Sequence, residues 1–334
     1  MRTPSHWKNK NLCALALLPL GCVYAGITAL RLKLKKPTKV NVPVICIGNL
    51  TAGGTGKTPT AVSIAKIVKS LGKEPFFVSR GYGGTLSGVI VDEQKHTPQQ
   101  VGDEPLLLAR EAKVSINADR AEAAKKAISN GAEVIVMDDG FQNPTLYKDL
   151  SFLVFDGGVG IGNGLPVPAG PLREFFKSGI KRADAAIIIG EDKCGLREKL
   201  GKMPVFEGQI CSLPLPDLGA KVIAFAGIGR PEKFYNSLRE CGANVVKTFD
   251  FPDHHYYTPK ELEDLIALAK KLGADLVTTA KDFVKIPNNL KPNFKVLEIE
   301  IRWKDEGALR EFLENLQAKS RDDWLIKNVI APKA

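Results

Sequence analysis

Cysteine, histidine and aromatic residues are sparse in this chain, and their scarcity excludes several classes of protein. The 334 residues include six cysteines and four histidines, with no Cys-x-x-Cys spacing, so neither a disulfide framework nor a zinc site is indicated. Hydrophobic residues make up 44%, charged residues 25% and aromatic residues 7%, which excludes a disordered chain and a polytopic membrane protein. The length suits about two domains.

Acidic residues are missing from the first part of the chain. The first is Glu74, whereas residues 1–73 contain 12 lysines and arginines. The net charge of +10 therefore belongs to the N-terminal fifth, because the remaining residues carry 35 basic and 37 acidic side chains. A nucleic-acid-binding face would usually spread its basic residues over the folded domain and interleave aromatics. The charge pattern therefore predicts no nucleic-acid partner, and nothing in the sequence indicates an obligate protein partner.

One apolar run, at 12–30, stands between basic residues on both sides. A cleaved signal peptide, a single spanning helix, a helix on an anionic membrane surface and a helix of the protein's own core all fit such a run. Its length only just reaches that of a span, and basic residues on both sides give no orientation. We favour a membrane-associating segment over 1–36, because each nearby Lys or Arg adds about 1 kcal/mol of attraction to anionic lipid.

Short apolar runs alternate with helical segments after residue 37, which favours parallel β-α units. The first set has predicted strands at 42–47, 75–78, 133–137, 151–155 and 185–189, with helices at 57–71 and 119–130. The second set has strands at 222–226, 243–249, 275–279 and 294–301, and helices at 231–241, 258–273 and 305–317. The sequence therefore predicts an α/β fold: a mostly parallel sheet flanked by helices over 37–212, and a smaller α/β domain over 213–334, with a proline-rich linker at 211–219.

A glycine-rich loop after the first predicted strand is the strongest functional motif. Backbone N–H groups of such a loop curl around phosphate oxygens, and the following helix N-terminus adds positive charge. The sequence GGTGKT matches a P-loop, although the first position of the strict pattern is Thr51 rather than glycine. The predicted ATP-binding residues are Gly53, Gly54, Thr55, Gly56, Lys57 and Thr58.

Two aspartates at the end of a buried strand complete the predicted nucleotide site. The run VIVM at 134–137 is followed by Asp138 and Asp139, and strand ends of such sheets face the ligand crevice. Mg²⁺ bound to ATP needs oxygen ligands, which Thr58 and either aspartate would supply. The sequence leaves open which aspartate contacts the metal.

A P-loop names no substrate, but six further segments do. Together they resemble the bacterial lipid A 4′-kinases (tetraacyldisaccharide 4′-kinases) over nearly the whole chain. The segments are SRGYGG at 79–84, GDEP at 102–105, DDGFQN at 138–143, LPVPAGPLRE at 165–174, FPDHH at 251–255 and TTAKD at 278–282. The chain departs from the family pattern at Asn143, where a histidine is usual, and at Ala280, where a glutamate is usual.

The resemblance implies an activity, a substrate and a place in the cell. It implies ATP- and Mg²⁺-dependent phosphorylation of the 4′-hydroxyl of lipid A disaccharide 1-phosphate at the cytoplasmic face of the bacterial inner membrane. It also implies that Asp103 is the base for the sugar hydroxyl and that His254 assists it. We expect closure of the second domain to bring these two residues together.

Other predicted site residues rest on their chemistry and their place in the motifs. Arg80 and Lys57 are predicted to stabilise charge during transfer. Arg173, Glu174 and Asn143 are candidates for substrate contact. A membrane-associated nucleotide switch and a small-molecule ligase are the competing functions for the same P-loop, and a phosphorylated lipid product would separate them from the kinase.

Overall fold

The computed structural model describes residues 4–215 and 218–325. Residues 1–3, 216–217 and 326–334 of the predicted segments therefore lie outside the described residues. The strands are β1 (Val44–Gly48), β2 (Pro75–Ser79), β3 (Val89–Ile90), β4 (Val114–Ile116), β5 (Val134–Asp138), β6 (Leu150–Asp156), β7 (Ala185–Ile189), β8 (Val205–Ser212), β9 (Val222–Ala226), β10 (Val245–Asp250), β11 (Asp275–Thr279), β12 (Phe294–Leu297) and β13 (Ile299–Trp303). The helices are α1 (Leu12–Leu34), α2 (Lys57–Ser70), α3 (Pro98–Val101), α4 (Asp103–Ala109), α5 (Arg120–Ser129), α6 (Phe176–Ile180), α7 (Leu196–Leu200), α8 (Pro231–Glu240), α9 (Pro259–Leu272), α10 (Ala280–Phe283) and α11 (Glu306–Leu325).

The larger sheet has nine strands in the order β13-β8-β7-β6-β1-β5-β2-β4-β3. Only the outermost strands, β13 and β3, run antiparallel to their neighbours. The inner strands β1, β2, β5 and β7 are buried along their whole length, as expected for parallel strands covered on both faces. Along β1, Ile45 and Ile47 pack into the core on one face of the sheet, and Val44 and Cys46 into the core on the other.

The smaller sheet has four parallel strands in the order β10-β9-β11-β12. Its central strand β9 alternates between two cores in the same way, with Ala224 facing one and Phe225 the other. Helix α9 begins at a capping box, in which Thr258 and Glu261 each bond to the other's backbone N–H, and it ends at Gly273 in a left-handed conformation.

The end of the chain returns to the larger sheet. The sequence predicted one strand at 294–301 within a second domain at 213–334. In the structure β12 joins the smaller sheet, whereas β13 pairs with β8, and Leu309 and Leu313 of α11 lie in the core of the larger sheet. Alternating hydrophobicity reports a strand but not the sheet to which it belongs. We therefore propose that the smaller unit ends near residue 298.

Helix α1 lies along the body of the protein. Its Ala14, Gly21 and Ala25 are buried, and a Cβ at Gly21 would stand 2.8 Å from the carbonyl oxygen of Pro166. Near its other end, Arg31 donates a hydrogen bond to the carbonyl of Gln142 at 3.1 Å. The helix is long and apolar enough to cross a membrane by length and composition. Its large apolar side chains point away from the body and are exposed: Leu12, Leu15, Leu20, Val23, Tyr24, Ile27, Leu30 and Leu34.

Candidate active site

The site lies at the carboxyl ends of the central strands, where β1 has β5 on one side and β6 on the other. Strands β2 to β5, which follow β1 in the chain, lie on one side of it in the sheet, whereas β6 to β8 lie on the other side. The loops after β1 and its neighbours therefore diverge at this point and leave a crevice. Ile47 of β1 is the register partner of Asp138 in β5. The loop after β1 and the aspartates after β5 therefore meet at one place.

The phosphate loop is shaped by glycines and by one buried asparagine. Gly53 and Gly56 have φ angles of +121° and +88°, which residues with side chains adopt only with strain. The side-chain nitrogen of buried Asn49 donates to the carbonyl of Thr51 at 2.7 Å and to Oγ1 of Thr55 at 3.2 Å. Asn49 thus links Thr51 and Thr55 and stabilises the shape of the loop, a role that the sequence did not predict.

The upper surface of the loop is open. A Cβ added at Gly53 or Gly54 would meet no atom within 4 Å, so the loop leaves space above its backbone. Gly56 precedes the first residue of α2, and that helix therefore presents its N-terminus, with Lys57 and Thr58, to the same space. This cradle fits a nucleotide phosphate chain.

Asp138 has the surroundings of a metal ligand. It is buried, and its Oδ2 accepts a hydrogen bond from Oγ1 of Thr58 at 2.9 Å. Its Oδ1 is also buried and finds no hydrogen-bond donor among the residues that the structure describes. Burial, with a further contribution from the negative charge of Glu104, raises the pKa of Asp138 to about 7. A divalent cation held by Thr58 and Asp138 would satisfy the orphaned oxygen, so these residues fit Mg²⁺.

Asp139 is held by cations instead. Arg173 donates to both of its carboxylate oxygens, at 2.8 and 3.4 Å, and Nζ of Lys57 lies 3.7 Å from Oδ1. Burial acts to raise the pKa of Asp139, but the charges of Lys57 and Arg173 outweigh it and leave the pKa below its usual value. Asp139 therefore tethers the P-loop lysine to the arginine of the LPVPAGPLRE segment.

Arg80 and Arg120 are two further positive charges of the site, and the charges of both Arg80 and Asp139 act on Arg120. Arg80 is exposed on the loop after β2. Arg120, the first residue of α5, is buried, and burial together with the charge of Arg80 lowers its pKa to about 10. Sequence reasoning missed Arg120, because six elements (α2 to β4) separate it from the P-loop along the chain and nothing in the sequence indicated that the two are near each other.

Glu174 lies in a buried polar cluster behind Asp139. Arg182 donates to both of its oxygens at 2.6 Å, and Nε2 of Gln142 donates to it at 3.0 Å. Arg182 also stacks over the ring of Phe141 at 4.3 Å. The sequence did not single out Arg182 or Gln142, and these partners occupy Glu174 fully.

Asn143 shapes its own turn. Its Oδ1 accepts hydrogen bonds from the backbone N–H groups of Thr145 and Leu146, at 3.0 and 3.2 Å. The carbonyl of Asn143 accepts from Nζ of Lys148 at 2.6 Å. Its predicted contact with substrate stays a prediction, and the turn accounts for the side-chain oxygen.

Asp103 and His254 meet across the two units. Asp103 is the first residue of α4 and is 4% exposed, and its Oδ2 lies 2.9 Å from Nδ1 of His254, 151 residues later. Oδ1 of Asp103 accepts from the backbone N–H of Glu104. His254 is held at a φ of +61° in the turn between β10 and α9. The expected approach of the two residues is thus already present in this structure.

The carboxyl group of Glu104 is influenced by charges of both this pair and the phosphate loop. Burial raises the pKa of Glu104, while the charge of Lys281 acts to lower it and that of Asp103 to raise it. Asp139 and Lys57 act on the same carboxyl group. Charges from both the Asp103 side and the P-loop side of the site therefore act on Glu104.

Lys281 is a third member of this group that the sequence did not assign. Its Nζ lies 3.2 Å from Nε2 of His254, 3.2 Å from Oδ1 of Asp253 and 4.0 Å from Oδ2 of Asp103. The sequence did offer one signal. Lys281 is a charged residue separated from the end of β11 by Ala280 alone, and the residues after such strands line the ligand crevice.

Comparisons with known proteins point to one family. The family model described as tetraacyldisaccharide-1-P 4′-kinase matches residues 13–318. The tetraacyldisaccharide 4′-kinase of Gluconobacter oxydans is 43% identical over 96% of this chain and 99% of its own length, and that of Methylorubrum populi is 46% identical over 94% and 98%. A crystal structure of LpxK from Aquifex aeolicus in complex with ATP is similar at a TM-score of 0.75 and 29% identity, covering 91% of this chain and 99% of that one. The predicted α/β fold is confirmed, and the chain belongs to the tetraacyldisaccharide 4′-kinase family.

Proposed function

We propose that the residues around Lys57 and Asp103 carry out the phosphoryl transfer of the family. The γ-phosphoryl group of ATP passes to the 4′-hydroxyl of tetraacyldisaccharide 1-phosphate, the lipid A precursor, and ADP leaves. The observation that carries the assignment of roles is the 2.9 Å contact between Asp103 and His254 beside the P-loop. It places a buried carboxylate, oriented by a histidine, next to a phosphate cradle.

The nucleotide side of the reaction is mainly a matter of positioning and charge. Backbone N–H groups of the loop at 53–58 would bind the phosphate oxygens, and Lys57 would reach the β- and γ-phosphates. Asp139 holds Lys57 and Arg173 near each other, so both can approach the transferring group. Arg80 would add charge from the loop after β2. Mg²⁺, held by Thr58 and Asp138, neutralises phosphate charge when bound.

The acceptor side needs a proton acceptor. The 4′-hydroxyl oxygen forms the new bond to phosphorus, the bond from phosphorus to the ADP oxygen breaks, and the hydroxyl proton passes to Asp103. A carboxylate is a modest base, but it suffices because bond breaking to the leaving group dominates such transfers. His254 keeps the carboxylate in place.

Membrane association follows from α1. The middle of α1 contacts the larger unit through Gly21 and its C-terminal part through Arg31, so the helix lies along the body and its outer face is free for lipid. We place it in the interface of an anionic membrane, on the cytoplasmic face of the inner membrane where ATP is present. Gln142 contacts both Arg31 of this helix and Glu174 of the site, so the site opens close to the bilayer that holds the acyl chains.

The test is transfer of labelled phosphate from ATP to lipid A disaccharide 1-phosphate in detergent micelles. We expect one bisphosphorylated lipid for each ATP consumed. Lys57→Ala should abolish this product, whereas Lys66→Ala, an exposed lysine on the same helix α2, should retain it. Asp103→Asn should lose turnover and still bind nucleotide. ATP hydrolysis without phosphorylated lipid would contradict the proposal and favour a nucleotide switch.

A further inference from the structure

Lys281 links the acidic and histidine groups of the site from the smaller unit. It lies on the short helix α10, directly after β11, and its side chain is about one-fifth exposed. Its ammonium group contacts Nε2 of His254 and Oδ1 of Asp253, both at 3.2 Å. The nitrogen of His254 that faces Lys281 is therefore not the one that faces Asp103.

The chemistry of the partners determines where the histidine proton lies. A lysine ammonium has three N–H donors and cannot accept a hydrogen bond, whereas a carboxylate only accepts. Nε2 of His254 must therefore accept from Lys281 and carry no proton. Nδ1 must then carry the proton and donate it to Oδ2 of Asp103. A proton on Nε2 would instead point at the ammonium group.

The position of Lys281 is fixed by its neighbour. Asp282 is fully buried and accepts hydrogen bonds from the backbone N–H of Gly227 at 2.9 Å and from Oγ1 of Thr279 at 2.8 Å. Asp282 also forms a buried ion pair with Lys285 at 2.6 Å. These contacts anchor α10 against the smaller sheet, so Lys281 is presented from a rigid support.

The surrounding carboxylates hold the ammonium group of Lys281 in place. Oδ1 of Asp253 and Oδ2 of Asp103 lie 3.2 and 4.0 Å from its Nζ, and its charge also acts on Glu104. Burial acts to raise the pKa of Asp253, but the charge and the hydrogen bond of Lys281 oppose it, and the pKa lies below its usual value. Asp253 thus acts as a second anchor for the ammonium group. Tyr256 is the other titratable group near Asp103 from this turn.

We propose that Lys281 is a positioning residue for phosphoryl transfer: it fixes His254 as the neutral tautomer with its proton on Nδ1, and so directs that proton to Asp103. The carboxylate of Asp103, in the larger unit, is then oriented by the N–H donor of His254, in the smaller unit. This inference rests on the proposed role of Asp103 as the base, but the tautomer of His254 can be measured without any turnover.

The first experiment uses the wild-type protein. Labelling the histidines with ¹⁵N and assigning His254 by comparison with His254→Gln gives the nitrogen chemical shifts of its ring. We expect a protonated Nδ1 and a bare Nε2. In Lys281→Met this preference should weaken, and in the matched control Lys271→Met, an exposed lysine on α9, it should persist. A wild-type His254 with its proton on Nε2 overturns the proposal even if turnover follows the expected pattern.

The second experiment is a double-mutant cycle on kcat with lipid acceptor. We expect Lys281→Met to lower kcat about tenfold, the effect of losing one charge-assisted hydrogen bond, with KM for ATP unchanged. Lys281→Arg retains a donor and should recover part of the rate. In a His254→Ala background, Lys281→Met should cost less than about twofold, because its effect passes through the missing imidazole.

The cycle also separates a direct role from a positioning role. An equal loss in the wild-type and His254→Ala backgrounds would show that Lys281 acts on substrate independently, and would overturn the inference. An unchanged kcat in Lys281→Met would do the same. Failure of the proposed function would appear differently, as absence of phosphorylated lipid from the wild-type protein while the tautomer measurement still reports on the Lys281 contact.

Discussion

At the scale of single residues, the site holds groups in conformations and charge states that cost stability. Of the described residues other than glycine, only Asp139 and His254 have a left-handed backbone, and both belong to the proposed site. Such conformations cost roughly 1–3 kcal/mol each and persist only where the surroundings impose them. Arg173 and Lys57 hold Asp139, while Asp103 and Lys281 hold His254. The strain is thus offset by ion pairs and hydrogen bonds of the site itself.

Asp138 carries a cost that depends on pH. Because its pKa is raised to about 7 in the folded protein, the folded state binds more protons than the unfolded state between about pH 4 and 7. Stability therefore falls as the pH rises through this range. In metal-free buffer with EDTA, we expect Asp138→Asn to raise the free energy of unfolding by roughly 1–4 kcal/mol at pH 8 and to change it little at pH 4.5.

Thermal or urea unfolding at the two pH values measures this effect. Asp264→Asn, which removes an exposed carboxylate from α9, should show no such difference. The same Asp138→Asn variant should have little kinase activity. Equal stability of the wild-type protein and the variant at pH 8 would contradict the raised pKa.

At the scale of elements, α1 is fitted to the body through small residues. Gly21 packs where the chain approaches Pro166, and Trp7 donates from its indole N–H to the carbonyl of Pro168 at 3.0 Å. Buried Asn163 donates to the carbonyls of His6 and Ala169 at 2.9 and 2.8 Å. The N-terminal segment is therefore fixed to the loop that leads into Arg173.

Two glycines of α1 provide a matched test of this packing. Replacing a mid-helix glycine by alanine favours a helix by about 1 kcal/mol. Gly26→Ala should therefore stabilise the protein, since its new methyl group would meet nothing within 4 Å. Gly21→Ala should instead destabilise it by about 1–3 kcal/mol, because the methyl group would press on the carbonyl of Pro166. Unfolding curves in detergent compare the two, and equal gains would show that α1 does not pack as described.

At the scale of the whole molecule, two sheets supply the residues of the proposed active site, and α1 adds an exposed apolar surface. The larger sheet supplies the phosphate cradle and Asp103, while the smaller sheet supplies His254 and Lys281. The outer face of α1 leaves Leu20, Val23 and Ile27 about three-fifths exposed. Burial of such side chains in lipid contributes about 1.5–3 kcal/mol each.

We therefore expect the triple variant Leu20→Glu, Val23→Glu, Ile27→Glu to lose binding to anionic vesicles by at least about tenfold. Its fold should be unaffected because the three side chains do not pack against the body. Activity on lipid in detergent should remain, and activity on lipid in vesicles should fall. Co-sedimentation measures the binding, with Val246→Glu, an exposed position on the smaller sheet, as control. Undiminished sedimentation would rule out α1 as the docking surface.

Particular residues show how far sequence reasoning reached. The phosphate loop and the central buried strands β1, β2, β5 and β7 were predicted because each is encoded in a short contiguous segment. At the start of α5, Asp119 and Glu122 have the spacing of a capping box; Asp119 does accept from the N–H of Ala121, but Glu122 pairs with Lys125. Where a side chain has two possible partners, local geometry rather than sequence spacing determines which hydrogen bond or ion pair it forms.

The sequence by itself determined the glycine cradle, the five central strands of the larger sheet (β1, β2, β5, β6 and β7) and the family, because these depend on local conformation and on motifs read in order. It did not predict β4 and β8 of the same sheet. Only the tertiary structure decided that β12 and β13 separate into different sheets, that Asp138 is buried with an orphaned oxygen while Asp139 is neutralised, and that Lys281 reaches His254. Burial and charge pairing depend on which distant segments the folded chain brings into contact. The hydrophobic periodicity of a segment does not indicate which distant segments it will contact.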